Sequence, residues 1–264
     1  MSSFHDVLFE ISNEDRHRIL FLIEHEEMNV TQIARKLGLS LTETSRHLSR
    51  IADVGLAHKN VDGLYGLSSF GRLFLFQVQG AEFISKHRDY FNAHTLESLP
   101  RELVNRMAEL DGSSYVDDVM LAFFNVERMM KEAEEYFWNI ADQYIMSTLP
   151  LIHRIADEKV RARSIDPRGY VLPAEMKERV PAVDREAAQR AAAEGLIEMK
   201  VLDRIDVFLW MSEKEVAALA FPTLDGRFDY LGFTSRDERV LNWCRDLFLY
   251  YWERAEPKRE FSLF

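Results

Sequence analysis

Hydrophobic residues recur every three to four positions through the first fifty residues, and short polar segments separate these runs. This spacing gives a helix one apolar face, so three helices are predicted here. The first runs from Glu14 to His25, with Ser12 or Asn13 as its cap. The second runs from Thr31 to Leu37, and the third opens at Ser40 after a tight turn. The pattern therefore predicts two consecutive helices joined by a turn.

The third helix carries its own start and stop signals. Ser40 can accept a hydrogen bond from a free backbone N–H of the first turn, and Glu43 completes a capping box. Gly55 stands where a left-handed residue ends a helix, and a hairpin with its turn at Asp62-Gly63 follows. Two helices, a turn and a hairpin in this order predict a winged helix-turn-helix, whose second helix lies in the DNA major groove.

The outward face of the third helix carries short hydroxyl residues and arginines, because Leu48, Ile51 and Ala52 occupy the inward face. Such side chains reach phosphates and base edges. The alternative is a solvated helix in a small helical domain. We predict DNA contacts from residues on both helices and on the hairpin: Thr31, Gln32, Ser40, Thr42, Glu43, Ser45, Arg46, Ser49, Arg50, His58, Lys59 and Asn60.

The net charge of −11 at first counts against a nucleic-acid binder. Its distribution changes that picture, because residues 31–60 hold five basic side chains against two acidic ones, an excess of three positive charges. His47 and His58 add to this excess if they are protonated beside phosphate. A patch of this size makes few phosphate contacts, so two copies of the chain are expected on double-stranded DNA.

Two later segments are apolar on nearly every side. The helix that opens near Ser68 is one, and the final helix, about Arg236 to Arg254, carries five large aromatic residues. A helix that is apolar all round needs cover on every side. One domain is not expected to cover both helices, so the sequence predicts a homodimer. For the first of these helices, packing on the following domain alone is the alternative.

The pattern changes after residue 86. A buried strand is predicted at Val119–Phe124, a long helix capped by Asn125 follows, and strands return from Val160 onward. This order favours a sheet flanked by helices. The predicted fold class is α+β, with a winged helix-turn-helix and trailing helix over residues 1–86 and an α/β effector-sensing and dimerisation domain over residues 87–264.

Three N-terminal motifs resemble those of ArsR/MarR-like winged-helix regulators: Gly38-Leu39-Ser40, Ser45-Arg46-His47-Leu48 and Gly55-Leu56-Ala57. The C-terminal segment Trp243–Trp252, preceded by Phe233-Thr234-Ser235, resembles the effector domain of archaeal regulators of the filamentation/methanogenesis type. In that family an aromatic-rich helix closes the effector domain after a phenylalanine-containing strand. The resemblance covers most of the chain and implies an archaeal transcription factor.

Enzyme motifs are absent from the sequence, which contains no GxGxxG, GxxxxGK, HExxH or GxSxG. Effector domains of related archaeal regulators can have a phospholipase-D-like fold, but its HxKxxxxD motif is missing here. The single cysteine, Cys244, excludes an internal disulfide and any multi-cysteine zinc site. We predict no enzyme activity, no metal and no cofactor. Without a bilayer-length apolar run or a signal peptide, the expected compartment is the cytoplasm.

The C-terminal region is unusually aromatic, and small-ligand pockets are apolar cavities with a few polar groups. Arg161 and Arg163 on a predicted strand are candidates for an anionic ligand group, and Trp210 is a candidate for the apolar wall. In regular alternation the two arginines share one face of the strand. The alternative is that they are simply solvent-exposed.

Taken together, these patterns predict a sequence-specific, DNA-binding transcriptional regulator whose C-terminal domain senses a small ligand or a partner. Two alternatives remain open from the sequence. One is an adaptor or interaction protein of the transcription machinery. The other is a degenerate phospholipase-D-like hydrolase tethered to DNA, against which the missing motif counts.

Overall fold

The computed structural model describes residues 3–143, 145–151, 154, 157–171, 174–179 and 181–258 of the chain. Its contacts divide the chain into two compact units, Met1–Ala81 and Glu82–Phe264. A helix-turn-helix unit followed by a helix-flanked sheet confirms the predicted α+β class. The boundary predicted between residues 86 and 87 falls slightly later in the chain and stays a prediction.

The N-terminal unit contains a bundle of short helices and one hairpin. Its elements in the described residues are α1 (Phe4–Ile11), α2 (Glu14–His25), α3 (Val30–Leu37), α4 (Leu41–Asp53), β1 (Ala57–Lys59), β2 (Tyr65–Leu67) and the start of α5 (Ser69–Lys86). Strands β1 and β2 pair in antiparallel fashion and form the wing. Helix α1 was not predicted from the sequence, whereas α2 to α4 and the hairpin confirm the predicted winged helix-turn-helix.

Local sequence signals explain these helix boundaries. Asn13 accepts a hydrogen bond from the backbone N–H of Arg16 at 3.1 Å and so begins α2. Gly38 ends α3 with φ at 70°, a left-handed conformation that lets the chain turn directly into α4. Leu48 and Ile51 of α4 are fully buried in the core of this unit. The apolar spacing and the caps therefore act together to set the angle between α3 and α4.

The C-terminal unit is built on a large mixed sheet. Its elements in the described residues are α6 (Arg88–Ala93), α7 (Arg101–Val104), β3 (Ser114–Val116), α8 (Val119–Glu132), β4 (Tyr136–Ile140), β5 (Arg161–Pro167), α9 (Ala174–Arg179), α10 (Ala182–Ala193), β6 (Ile197–Leu202), β7 (Phe208–Ser212), β8 (Val216–Ala220), β9 (Gly232–Ser235), α11 (Glu238–Arg254) and β10 (Glu256–Pro257). Short 3-10 helices lie at Met107–Gly112 and Met146–Leu151.

The described strands of the C-terminal unit form one sheet in the order β10-β6-β5-β4-β7-β8-β9-β3. Strands β4, β5 and β6 are parallel to one another, and the remaining pairings are antiparallel. Helix α11 packs on one face of the sheet, and α8 and α10 pack on the other. Both faces are therefore covered over the centre of the sheet, which explains why β7 and β8 are buried along their whole length and apolar at every position except Ser212.

The strand predicted at Val119–Phe124 is wrong, because these residues form the first half of α8. The reason is a cap that precedes the apolar run: Asp118 accepts a hydrogen bond from the backbone N–H of Leu121 at 2.9 Å. Asn125 is consequently buried inside the helix and is not its cap. A short apolar run fits a helix and a strand equally well, and here the cap decides.

The final helix also differs from expectation. Helix α11 buries Trp243, Leu247 and Phe248 against its own sheet, and the indole N–H of Trp243 donates to the carbonyl of Leu103 at 3.1 Å. Tyr251 and Trp252 are buried as well. One C-terminal unit therefore encloses most of this helix, and the homodimer expected from the two apolar helices stays a prediction.

Candidate functional site

Helix α4 is held at its start by a complete capping box. The hydroxyl of Ser40 accepts a hydrogen bond from the backbone N–H of Glu43 at 3.2 Å, and the Glu43 carboxylate accepts from the Ser40 hydroxyl at 2.6 Å. These hydrogen bonds hold the pKa of the Glu43 carboxyl below its usual value. Ser40 and Glu43, both predicted as DNA contacts, are thus also the residues that fix the first turn of the helix.

The outward face of α4 is open to solvent and polar. Thr42, Ser45, Arg46 and Ser49 are exposed on it. No ion pair joins Arg46 to another described residue, so its guanidinium is available to a ligand. Hydroxyl groups around a free arginine form a surface that can donate hydrogen bonds to phosphate oxygens and base edges.

Arg50 lies one turn further along α4, but it is not free. Its Nε and Nη2 atoms donate to the Glu10 carboxylate of α1 at 2.9 and 2.7 Å. Arg16 of α2 also reaches this carboxylate at 2.9 Å and is itself buried. The hydrogen bond and the charge of Glu10 raise the pKa of the Arg50 side chain. Arg50 therefore ties α4 to α1 and offers DNA less than Arg46 does.

His47 is buried on the inward side of α4, with its Nε2 atom 3.9 Å from the Asp15 carboxylate. Burial lowers the pKa of the His47 imidazole below its ordinary value. Burial and the lowered pKa both favour the neutral form of His47, so the excess of three positive charges on residues 31–60 does not depend on it. His58 is exposed in β1, and its Nε2 atom lies 3.5 Å from the Glu27 carboxylate.

The wing presents one free lysine. Asn60 uses its side-chain oxygen to accept from the backbone N–H groups of Asp62 and Leu64 at 3.0 and 2.9 Å, which shapes the turn. Its amide nitrogen donates to Glu27 at 2.6 Å. Lys59 is exposed, and its Nζ atom lies 5.4 Å from the centre of the Tyr65 ring. Lys59 is thus free to reach phosphate, whereas Asn60 is occupied by the wing itself.

The two remaining predicted contacts lie at the start of α3. Thr31 and Gln32 are both exposed. The Gln32 side-chain oxygen accepts a hydrogen bond from the backbone N–H of Asn29 at 2.9 Å, and the Asn29 side-chain oxygen accepts one from the backbone N–H of Gln32 at 2.9 Å. This second capping box is absent from the sequence-based predictions, although the Asn-x-x-Gln spacing carries its signal.

A second exposed surface of the N-terminal unit is apolar. On α5, Leu73 is 70% exposed and Phe76 is 54% exposed, and Phe70 beside them is also exposed. Phe4 of α1 lies on the same surface, because its ring centre is 6.4 Å from that of Phe74. A contiguous cluster of large apolar side chains on a small domain is typical of a protein interface.

In the C-terminal unit, the predicted ligand residues do not form one group. Arg161 and Arg163 of β5 lie opposite Tyr136 and Trp138 of β4. Trp210 packs in the core on the other face of the sheet, where it is only 4% exposed. The grouping of Trp210 with the two arginines is therefore wrong, because strand alternation directs their side chains to opposite faces.

Comparison with known proteins identifies the N-terminal part of the chain. Residues 13–59 match the model of the family described as "Bacterial regulatory protein, arsR family". The matched segment contains α2, α3, α4 and the first strand of the wing. These residues are therefore an ArsR-type winged helix-turn-helix, the DNA-binding part of a transcription regulator. No curated protein matches the sequence.

Three solved structures illustrate how distant the structural similarities are. The archaeal chromatin protein TrmBL2, whose structure shows a novel mode of DNA binding, aligns over 97% of this chain and 100% of its own at 18% identity and a TM-score of 0.42. A mutant of ZitR from Lactococcus lactis covers 30% of this chain and 60% of its own, with 16% identity and a TM-score of 0.24. The O-methyltransferase NcsB1 of neocarzinostatin biosynthesis covers 76% and 65%, with 14% identity and a TM-score of 0.24. Scores of this size do not establish a common fold.

Among the residues that the structure describes, no helix has both the length and the apolar character needed to cross a bilayer.

Proposed function

We propose that this protein is a homodimeric regulator that binds double-stranded DNA at specific sequences and senses a small ligand or partner through its C-terminal domain. The observation that carries the proposal is the open polar face of α4, with Arg46 free at its centre, on an ArsR-type helix-turn-helix. A helix of this kind reads base edges when it enters the major groove. Absence of enzyme activity stays a prediction.

The proposed contacts divide into reading and holding roles. Arg46 reads bases, with help from the hydroxyls of Thr42, Ser45 and Ser49. Lys59 of the wing binds phosphate beside the groove. The other predicted residues act at the edge of this surface or hold it in shape: Thr31, Gln32, Ser40, Glu43, Arg50, His58 and Asn60.

Dimerisation follows from the apolar cluster on α1 and α5. Leu73 and Phe76 would lose most of their exposed area if a second copy covered them, and burial of apolar area stabilises association. A two-fold pair would present two α4 helices about 34–36 Å apart to a pseudo-palindromic site. It would also double the number of phosphate contacts, which compensates for the small positive charge of each DNA-binding unit.

The sensing role is proposed for the groove beside Arg161 and Arg163. Both arginines line this groove with Tyr136 and Trp138, and the Arg163 guanidinium lies 5.6 Å from the centre of the Trp138 ring. Guanidinium groups are the preferred partners of carboxylate and phosphate groups. The ligand expected from this arrangement carries at least one negative charge.

The test combines sequence selection with sedimentation of the full chain. Random-sequence duplexes retained by the protein should yield one pseudo-palindromic motif, and the free protein at micromolar concentration should sediment at about twice the 30.9 kDa of one chain. A mutant in which Arg46 is replaced by Ala serves as the matched control, because it keeps the fold and loses the reading group. Equal retention of all sequences, or a monomer both free and on DNA, would contradict the proposal.

A further inference from the structure

A groove with a volume of about 260 Å³ opens on the α11 face of the sheet, beside the first residues of β4 and β5. This volume is below that of pockets for drug-sized ligands, so the groove suits a molecule of about a dozen heavy atoms. Acidic, basic and aromatic side chains all line it: Glu135, Tyr136, Trp138, Arg161, Arg163 and Glu198. The mixture of both charges with aromatic rings is the feature that needs an explanation.

Arg163 is fixed in place before any ligand arrives. Its guanidinium carbon lies 5.6 Å from the Trp138 ring centre and 5.2 Å from that of Trp252, so the group contacts both indoles. Its Nε donates to the Glu198 carboxylate at 2.9 Å. No hydrogen bond from its two Nη groups is found among the described residues, so they remain available to an acceptor in the groove.

Arg161 and Glu135 carry opposite charges in the same groove but do not pair. Their backbones are joined, because the Arg161 N–H donates to the Glu135 carbonyl at 3.0 Å. Both side chains are exposed, and within the described part of the chain neither forms an ion pair. Because these two opposite charges are close together and unpaired, each can bind an oppositely charged group of the same ligand.

The aromatic wall supplies the third element. The ring centres of Tyr136 and Trp138 are 4.7 Å apart, and Trp138 stacks in turn on Phe248 of α11 at 4.7 Å. Arg245 donates to the Tyr136 hydroxyl at 3.3 Å, which fixes the tyrosine ring. This rigid apolar surface can cover a flat or branched side chain at little entropic cost.

We propose that the groove binds a free α-amino acid with an apolar or aromatic side chain. The ligand carboxylate pairs with Arg161 and the Nη groups of Arg163, and its ammonium group pairs with Glu135. Its side chain lies on Tyr136 and Trp138. A polyanion such as a nucleotide is disfavoured, because Glu135 and Glu198 repel additional negative charge. The binding site stands on its own geometry, whereas its role as a sensor rests on the proposed function.

Tryptophan fluorescence of the full-length protein tests the proposal, because Trp138 lines the groove and phenylalanine is almost transparent at the excitation wavelength. L-phenylalanine should change the emission saturably at micromolar to millimolar concentration. Phenethylamine lacks the carboxylate and 3-phenylpropanoate lacks the ammonium group, so each should bind at least about tenfold more weakly. Equal binding of 3-phenylpropanoate would overturn the zwitterion site and leave a simple anion site.

Matched variants locate the binding. Arg161→Gln and Glu135→Gln should each weaken L-phenylalanine binding about tenfold or more. The neighbouring Glu134→Gln and the distant Arg227→Gln should not, because Glu134 pairs with Lys214 and Arg227 lies beside Asp225, both outside the groove. No saturable response to L-phenylalanine, or an equal loss in all four variants, would overturn the proposal.

DNA retention measured with and without L-phenylalanine separates this proposal from the proposed function. Amino-acid binding without any change in DNA affinity would support the site and refute its sensing role. Loss of sequence-specific DNA binding in the unmodified protein would refute the regulator, while the fluorescence result would still decide the groove.

Discussion

Helices α5 and α11 have the same character in the sequence, but α5 leaves several large apolar side chains exposed in the structure whereas α11 buries most of its own. Both carry large apolar residues around most of their circumference. Phe248 of α11 is fully buried by its own sheet, whereas Leu73 of α5 keeps 70% of its surface exposed. The comparison shows that the spacing of apolar residues indicates how much of a helix surface must be buried. Whether the same chain supplies that cover depends on where the neighbouring elements pack.

The same contrast appears at smaller scale on the recognition helix. Arg46 and Arg50 are one turn apart on α4, and only Arg50 is paired with a carboxylate from the same chain. In these comparisons α11 and Arg50 make contacts within the chain and contribute to the stability of the fold. The exposed residues of α5 and the side chain of Arg46 are available to a partner. Substitutions at the two members of each pair should therefore have separable effects.

The largest effect is expected at the covered helix. Phe248→Ala removes a fully buried ring between α11 and the sheet and should lower the free energy of unfolding by about 3–5 kcal/mol. Chemical denaturation of the full chain measures this loss. Phe124→Ala, at a position that is 59% exposed on α8, should change it by less than about 0.5 kcal/mol. Similar losses at both positions would mean that α11 is not buried against its own sheet.

A substitution on the exposed face of α5 should change the affinity of dimerisation. Leu73→Glu introduces a charge into the apolar surface of α1 and α5 and should weaken dimerisation by about 2 kcal/mol or more, with little change in unfolding. Sedimentation across a range of concentrations gives the dissociation constant. Leu224→Glu is the matched control, because Leu224 is 71% exposed in the C-terminal unit. An unchanged dimer in the Leu73 variant would place the interface elsewhere.

Sequence reasoning performed well where a signal was local. The capping box of Ser40 and Glu43 and the left-handed Gly38 define the helix-turn-helix from residues close in the chain, and the structure has both. The apolar run after Asp118 is a helix and not the predicted strand, because six apolar residues alone do not distinguish the two. A cap immediately before the run was the available signal.

At the candidate sites, the sequence did not predict contacts between residues that are far apart in the chain. The pairing of Arg50 with Glu10 joins residues forty positions apart, and it depends on α1, which the sequence analysis did not predict. A capping box between Ser3 and Asp6 was the signal for that helix. Trp210 and Arg163 lie on different faces of one sheet, and only knowledge of which strands pair reveals this.

The most specific and smallest effect is expected on the recognition helix. Arg46→Ala removes a free guanidinium from the outward face and should cost about 1–3 kcal/mol of binding to the selected motif, with unfolding unchanged. Arg50→Ala should affect DNA binding less and stability more, because it leaves the buried Glu10 carboxylate with Arg16 as its remaining arginine partner. Fluorescence anisotropy on the selected duplex and on a scrambled one separates loss of sequence reading from loss of general affinity. The opposite ranking, with Arg50 dominating DNA recognition, would show that the Glu10 pair opens on DNA and that both arginines read the groove.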